Sequence, residues 1–240
     1  MGRFMARAPV RGAVGNVRET EVRFANARGV FGLRGIVHEP LGGPPRGGLV
    51  VSHGRSNDMG NPLVRRIAAA AAEEGRWSLR FNFRYVDAKT PASRDLSQEE
   101  DDLLGAVRFA RKAVAEGSIV VAGKSMGARV CARASSDADI AGVIALGYPL
   151  HPKSRPEVRN PPEWPKLVKP TLFVQGDHDP FCDLARLEEE RRRLAAPSEL
   201  VVIQDAGHSF EPVGTKRDTF PQVWGAVRAW LEARRAEQKL

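Results

Sequence analysis

The 240-residue chain carries 37 Lys and Arg against 29 Asp and Glu, a net charge of +8, with 42% hydrophobic residues. That length and apolar content suit one α/β domain with a full core, and no window approaches the roughly 18 consecutive apolar residues of a membrane span. The Arg-bearing N-terminus lacks the apolar core of a signal peptide. Two cysteines, Cys131 and Cys182, make neither a disulfide framework nor a CxxC pair, so the expectation is a cytoplasmic protein with no membrane partner.

The positive charge raises nucleic-acid binding, but its distribution argues against that partner. Arg191, Arg192 and Arg193 follow Glu188, Glu189 and Glu190, so Glu188 meets Arg192 and Glu189 meets Arg193 at helical spacing. The five histidines at 38, 53, 151, 178 and 208 form no HExxH pattern and have no cysteine-rich companions, which disfavours a metal. No cofactor is expected, and the sequence leaves the oligomeric state open.

In chain order, residues 1–18 lack periodicity and are expected to form a loose basic tail ahead of a single domain over 19–240. Residues 21–25 and 30–37 flank Asn26-Ala27-Arg28-Gly29 and predict an antiparallel hairpin. From residue 49 onward short apolar runs alternate with helical periodicity, the pattern of βαβ units and a mostly parallel sheet. Strands are expected over 48–52, 77–83, 118–122, 140–146, 170–174 and 199–203. Asn61-Pro62 caps and opens a helix that ends near Gly75. Leu103, Val107, Ala110 and Val114 make one apolar helical stripe; Phe220, Val223, Trp224, Val227, Trp230 and Leu231 make another. Residues 149–170 contain too many prolines for a regular helix and predict an ordered excursion. It overhangs the site as a minimal lid or merely routes the chain.

Gly123-Lys124-Ser125-Met126-Gly127 lies between an apolar strand and a helix. Such a turn strains the serine backbone, needs small neighbours, and presents the hydroxyl together with the first helix amides. A serine requires a base, and the base requires an orienting group. His208 follows the last strand, and Asp179 follows the strand before it. Asp177 and Asp183 compete with Asp179, but Asp183 suits the cap of a helix beginning at Leu184. The chain order Ser125, Asp179, His208 is one of the known serine-hydrolase orders. Oxyanion donors are expected at the backbone amides of Met126 and of Arg55, which follows His53-Gly54. His53 reads as structural, and Lys124 as a surface or packing residue. Asp205 is a candidate to orient the His208 loop, with ordinary turn chemistry as the alternative.

With these residues assembled, the chain resembles the α/β-hydrolase superfamily from about residue 20 onward. His53-Gly54, Arg80-Phe81-Asn82-Phe83-Arg84-Tyr85, the Gly123–Arg129 turn, Leu146-Gly147-Tyr148-Pro149-Leu150-His151-Pro152 and the Gly176–Phe181 segment are similar to a small dienelactone-hydrolase-like group. That group includes a testis-expressed protein and a subunit of a chromatin acetyltransferase complex. The resemblance implies a nearly lidless fold with helices on both faces of the sheet and no large cap. Ser125 stands where dienelactone hydrolases carry cysteine, which points to ester hydrolysis instead. The expected substrate is a small-molecule ester with a short acyl chain, in a shallow site bounded by Arg55, Tyr85, Tyr148 and the Pro-rich excursion. Thioesterase, peptidase and acyltransferase chemistry use the same triad, and a noncatalytic interaction module is the competing class.

Overall fold

The computed structural model describes residues 11–14, 16–30, 32–157 and 163–237. The chain divides into two compact units, Met1–Ile119 and Val120–Leu240.

In the first unit the strands are β1 (Arg11–Val14), β2 (Val17–Ala25), β3 (Gly32–Pro40), β4 (Gly48–Ser52) and β5 (Trp77–Phe81), in spatial order β1-β2-β3-β5-β4. β2 and β3 form the expected hairpin, longer than the sequence suggested, in unbroken register from Val17 opposite Pro40 to Ala25 opposite Gly32. The Asn26 side chain closes the turn by accepting from the amides of Arg28 and Val30 at 3.1 and 3.0 Å, the local bonding that suits asparagine to turns. The expectation that residues 1–18 lie outside the fold needs correction. β1 pairs antiparallel with β2, with Arg11 opposite Glu19 and Val14 opposite Val17. A short strand like this need not show periodicity. Residues 1–10 lie outside the described residues.

β5 reads as alternating apolar and polar, yet all five of its residues are buried, because β3 and β4 flank its edges and the helices Pro62–Glu73 and Ser97–Ala113 pack against it. Its polar members are therefore paired internally. Ser78 Oγ donates to the Ala68 carbonyl at 2.7 Å, and Arg80 Nε donates to His38 Nε2 at 2.9 Å.

Helix α1 (Pro62–Glu73) opens as expected, with Asn61 Oδ1 accepting from Leu63 and Val64 amides and Pro62 in the first turn. The short α2 (Arg84–Ala88) has no apolar period of its own and was not predicted. It is held by the buried Asp102 of α3 (Ser97–Ala113), whose carboxylate accepts from the Arg84 amide and guanidinium, each at 2.8 Å.

The second unit contains β6 (Ile119–Lys124) from its second residue onward, α4 (Met126–Ala134), β7 (Ile140–Leu146), β8 (Thr171–Gly176), α5 (Leu184–Arg191), β9 (Ser198–Ile203) and α6 (Phe220–Glu237). The order is β6-β7-β8-β9, and β8 is parallel to both β7 and β9. Along α6, Val223, Val227, Trp230 and Leu231 are buried, while Phe220 and Trp224 of the predicted stripe are half-buried. On and after α5, Glu188 meets Arg192 at 3.0 Å and Glu189 meets Arg193 at 2.7 Å. These exposed pairs contribute little stability. Between β7 and β8 the described residues hold only a 3-10 turn, Trp164–Lys166. No helix among the described residues is long and apolar enough to cross a membrane.

Candidate active site

Ser125 sits between β6 and α4 with φ 55° and ψ −116°. Few non-glycine residues adopt such angles unless their surroundings fix them. The surroundings do so here. The Ser125 amide donates to the Leu146 carbonyl at the end of β7, 2.9 Å away. A Cβ at Gly123 would lie 2.2 Å from the Gly127 carbonyl carbon and oxygen, so the strand and the helix approach each other only because residue 123 has no side chain.

His208 Nε2 lies 2.9 Å from Ser125 Oγ, and His208 Nδ1 lies 2.7 Å from Asp179 Oδ2. A carboxylate only accepts, so Nδ1 carries the proton and Nε2 is left to receive one from the hydroxyl. The Asp179 side chain is fully enclosed, whereas the imidazole keeps a 17% opening to solvent. Phe181 places its ring centroid 4.6 Å from that of His208.

The three neighbouring aspartates have separate tasks. Asp179 faces the imidazole. Asp183 caps α5 by accepting from the Arg186 amide at 3.0 Å. Asp177 accepts from the Ala206 amide at 3.0 Å and so ties the end of β8 to the turn that precedes His208. Asp205 adopts φ 55° and its carbonyl accepts from the Val213 amide at 2.8 Å. Glu211, which the sequence reading left aside, accepts from the Ser209 amide at 2.7 Å and stiffens the same loop. Gln175 was also missed. Its Nε2 donates to Asp179 Oδ2 at 2.5 Å, and its Oε1 accepts from the Tyr148 amide at 2.9 Å. The available signal was a glutamine inside the apolar run of β8, since a buried amide needs partners on both of its ends.

Met126 opens α4 directly after Ser125, so its amide belongs to the first turn, whose donors have no intrahelical acceptor. The other expected donor, Arg55, belongs to the first unit on the loop leaving β4. His53 is fully buried there and structural, as expected. Its Nδ1 donates to the Gly54 carbonyl at 2.8 Å while Nε2 accepts from the Phe83 amide at 3.2 Å, and burial pushes its ionisation down.

Both tyrosines expected to border the substrate are corrected. Tyr85 is buried and its hydroxyl donates to the Arg55 carbonyl at 2.7 Å, so it holds the loop instead of facing a ligand. Tyr148 is wholly enclosed. Its hydroxyl donates to the buried Glu163 at 2.5 Å and accepts from Trp164 Nε1 at 2.8 Å, and Glu163 in turn binds Arg129 of α4 at 2.6 and 3.0 Å. The described part of the Pro-rich excursion is thus anchored on the helix that follows Ser125. Residues 158–162 lie outside the described residues.

Lys124 is buried rather than on the surface. Burial brings its ammonium down from the usual 10.5 to about 8, against the opposing pull of Asp179 and Glu211. The unfolded chain therefore holds the extra proton between pH 8 and 10.5, and stability rises with pH across that window. Relative to Lys124→Met, wild-type protein is expected to gain about 3 kcal/mol over this range. Urea titrations of both proteins at pH 8 and 10.5 check this; equal responses would refute it.

A family model described as an alpha/beta hydrolase domain matches residues 45–233. The chain belongs to the α/β-hydrolase family. Among solved structures, the hydrolase fold is shared with dienelactone hydrolase from Anabaena variabilis at TM-score 0.74 and 21% identity, over 91% of this chain and 98% of that one. XC6422 from Xanthomonas campestris, a serine hydrolase without lid, matches at TM-score 0.69 and 24% identity over 88% and 94%. Est1E from Butyrivibrio proteoclasticus matches at TM-score 0.70 and 16% identity over 89% and 98%. Among the described residues this α/β-hydrolase has no large cap. Among the described residues it has no cluster of His, Cys, Asp and Glu suited to a metal.

Proposed function

We propose that this α/β-hydrolase cleaves carboxylic esters of short acyl chain through an acyl-enzyme on Ser125. The observation that carries the reading is the continuous hydrogen-bonded line from Ser125 Oγ through the His208 imidazole to Asp179. In the first half-reaction Ser125 Oγ attacks the acyl carbon as its proton passes to His208 Nε2. The Met126 amide receives the developing oxyanion. Collapse expels the alkoxide, which takes the proton from His208, and Asp179 stabilises the transient imidazolium. Water then repeats the sequence on the acyl-enzyme and frees Ser125. A serine nucleophile favours esters over dienelactones, and the lack of a large cap favours small acyl groups. The kinship to the small dienelactone-hydrolase-like group with its testis-expressed member is part of this proposal; it rests on the motifs around Arg80 and Ser125.

Incubation with a fluorophosphonate, followed by intact mass and peptide mapping, is expected to add one label at Ser125 and none to Ser125→Ala. Nitrophenyl esters of graded length are then expected to turn over fastest at two to four acyl carbons, as an order-of-magnitude guide from site size. Folded protein that takes no label would overturn the reading in favour of a noncatalytic module.

A further inference from the structure

The hydrogen bonds behind Asp179 identify a further participant, and its role rests on the hydrolase reading above. Gln175 is fully buried at the end of β8, and its two polar atoms face different partners. The Tyr148 backbone N–H can only donate, so the atom 2.9 Å from it is the amide oxygen. That fixes the flip. The amide nitrogen is thereby directed at Asp179 Oδ2, 2.5 Å away, the same oxygen that receives His208 Nδ1.

Asp179 Oδ1 is occupied separately by the Phe181 amide at 2.8 Å. The carboxylate is therefore held at both oxygens, and only one direction remains for the imidazole. Tyr148 cannot easily release Gln175, because its ring is locked by Glu163 and Trp164 and Glu163 is paired with Arg129. These contacts give the Tyr148 motif and the Pro-rich excursion a shared purpose that neither had in the sequence.

We propose that Gln175 is a positioning residue for the reaction: oriented by the Tyr148 amide, it aims Asp179 Oδ2 at His208 and so sets the imidazole against Ser125. It touches no substrate, so its contribution belongs to the chemical step and not to binding.

The test compares wild type with Gln175→Met, which keeps side-chain length but removes both hydrogen bonds. On nitrophenyl acetate, kcat is expected to fall about tenfold to a hundredfold, the size of effect that misplacing a catalytic group produces, with KM changed less than about twofold. The far-downfield proton resonance of His208 Nδ1–H, assigned by its loss in His208→Gln, is expected to shift or broaden. A merely structural role would leave that resonance alone. Where Gln175→Met does not fold, Gln175→Asn keeps an amide in the site but is too short to span both partners, and the same two readouts are expected to change. Folded variants with wild-type kcat, or a lowered kcat with an unmoved resonance, would overturn the proposal. A moved resonance in a protein whose wild type takes no fluorophosphonate would sink the hydrolase reading while leaving the hold of Gln175 on His208 in place.

Discussion

Asp179→Asn is expected to lower kcat for nitrophenyl acetate by about ten-thousandfold, the loss that accompanies a wrong imidazole tautomer in serine hydrolases. The surroundings leave the asparagine no good orientation. Its oxygen must face the Phe181 amide, which only donates, so its NH2 group falls where Oδ2 was. There it meets the Gln175 nitrogen, and that amide cannot turn over because its oxygen is held by Tyr148. It also meets His208 Nδ1 as a donor, which drives the ring proton to Nε2 and removes the acceptor for Ser125. Rates of ester turnover and of fluorophosphonate labelling, measured on variant protein with a normal unfolding midpoint, check this. A loss smaller than tenfold would remove Asp179 from the assignment.

Acid is expected to weaken the first unit in part through the buried imidazole of His38. His38 of β3 is wholly enclosed, and its Nε2 accepts from Arg80 Nε, so that nitrogen carries no proton. Its Nδ1 faces Glu19 at 3.3 Å, which favours protonation, but burial and the neighbouring Arg80 charge outweigh it and bring the ring from 6.5 to about 3. The folded value is the lower one, so the unfolded chain gains the proton first. Stability is full above pH 6.5 and drains as pH falls toward 3. By pH 4 the loss from this group is about 3 kcal/mol. Carboxylates titrate nearby, so the comparison is with His38→Gln, whose amide does not ionise. Wild type is expected to lose that much more than the variant between pH 7 and 4 in urea titrations. Parallel losses would refute the assignment.

The residues of the proposed triad stand out in the sequence because each follows a strand end where chain direction, turn residues and apolar runs coincide. The Gly123–Gly127 turn, the Asp183 cap and the Asn61 cap announce themselves locally, since each needs only its own neighbours. What was not legible depends on distant partners. Tyr148 looks like an aromatic at the mouth of a site until Glu163 and Trp164 claim its hydroxyl. Tyr85 is similar, its hydroxyl taken by the backbone 30 residues away. The ion pair of Arg84 with the buried Asp102 joins residues 18 apart and has no signal in local spacing. α2 escaped because five residues are too few to show a period. Pairing that crosses the fold leaves no mark on composition or spacing.

Gly147 adopts φ +60°, and a Cβ there would stand 2.6 Å from the His208 carbonyl and 3.8 Å from Asp179 Oδ2. The residue offers no functional group, yet the space it leaves empty is what lets the loop bearing His208 reach its place. For variation in this gene, every coding change at position 147 inserts a side chain into that space. Substitution there is therefore expected to be tolerated as poorly as at the proposed triad, and an alanine scan would register Gly147 beside Ser125, Asp179 and His208 although it supplies no side chain and its amide donates to the Val174 carbonyl.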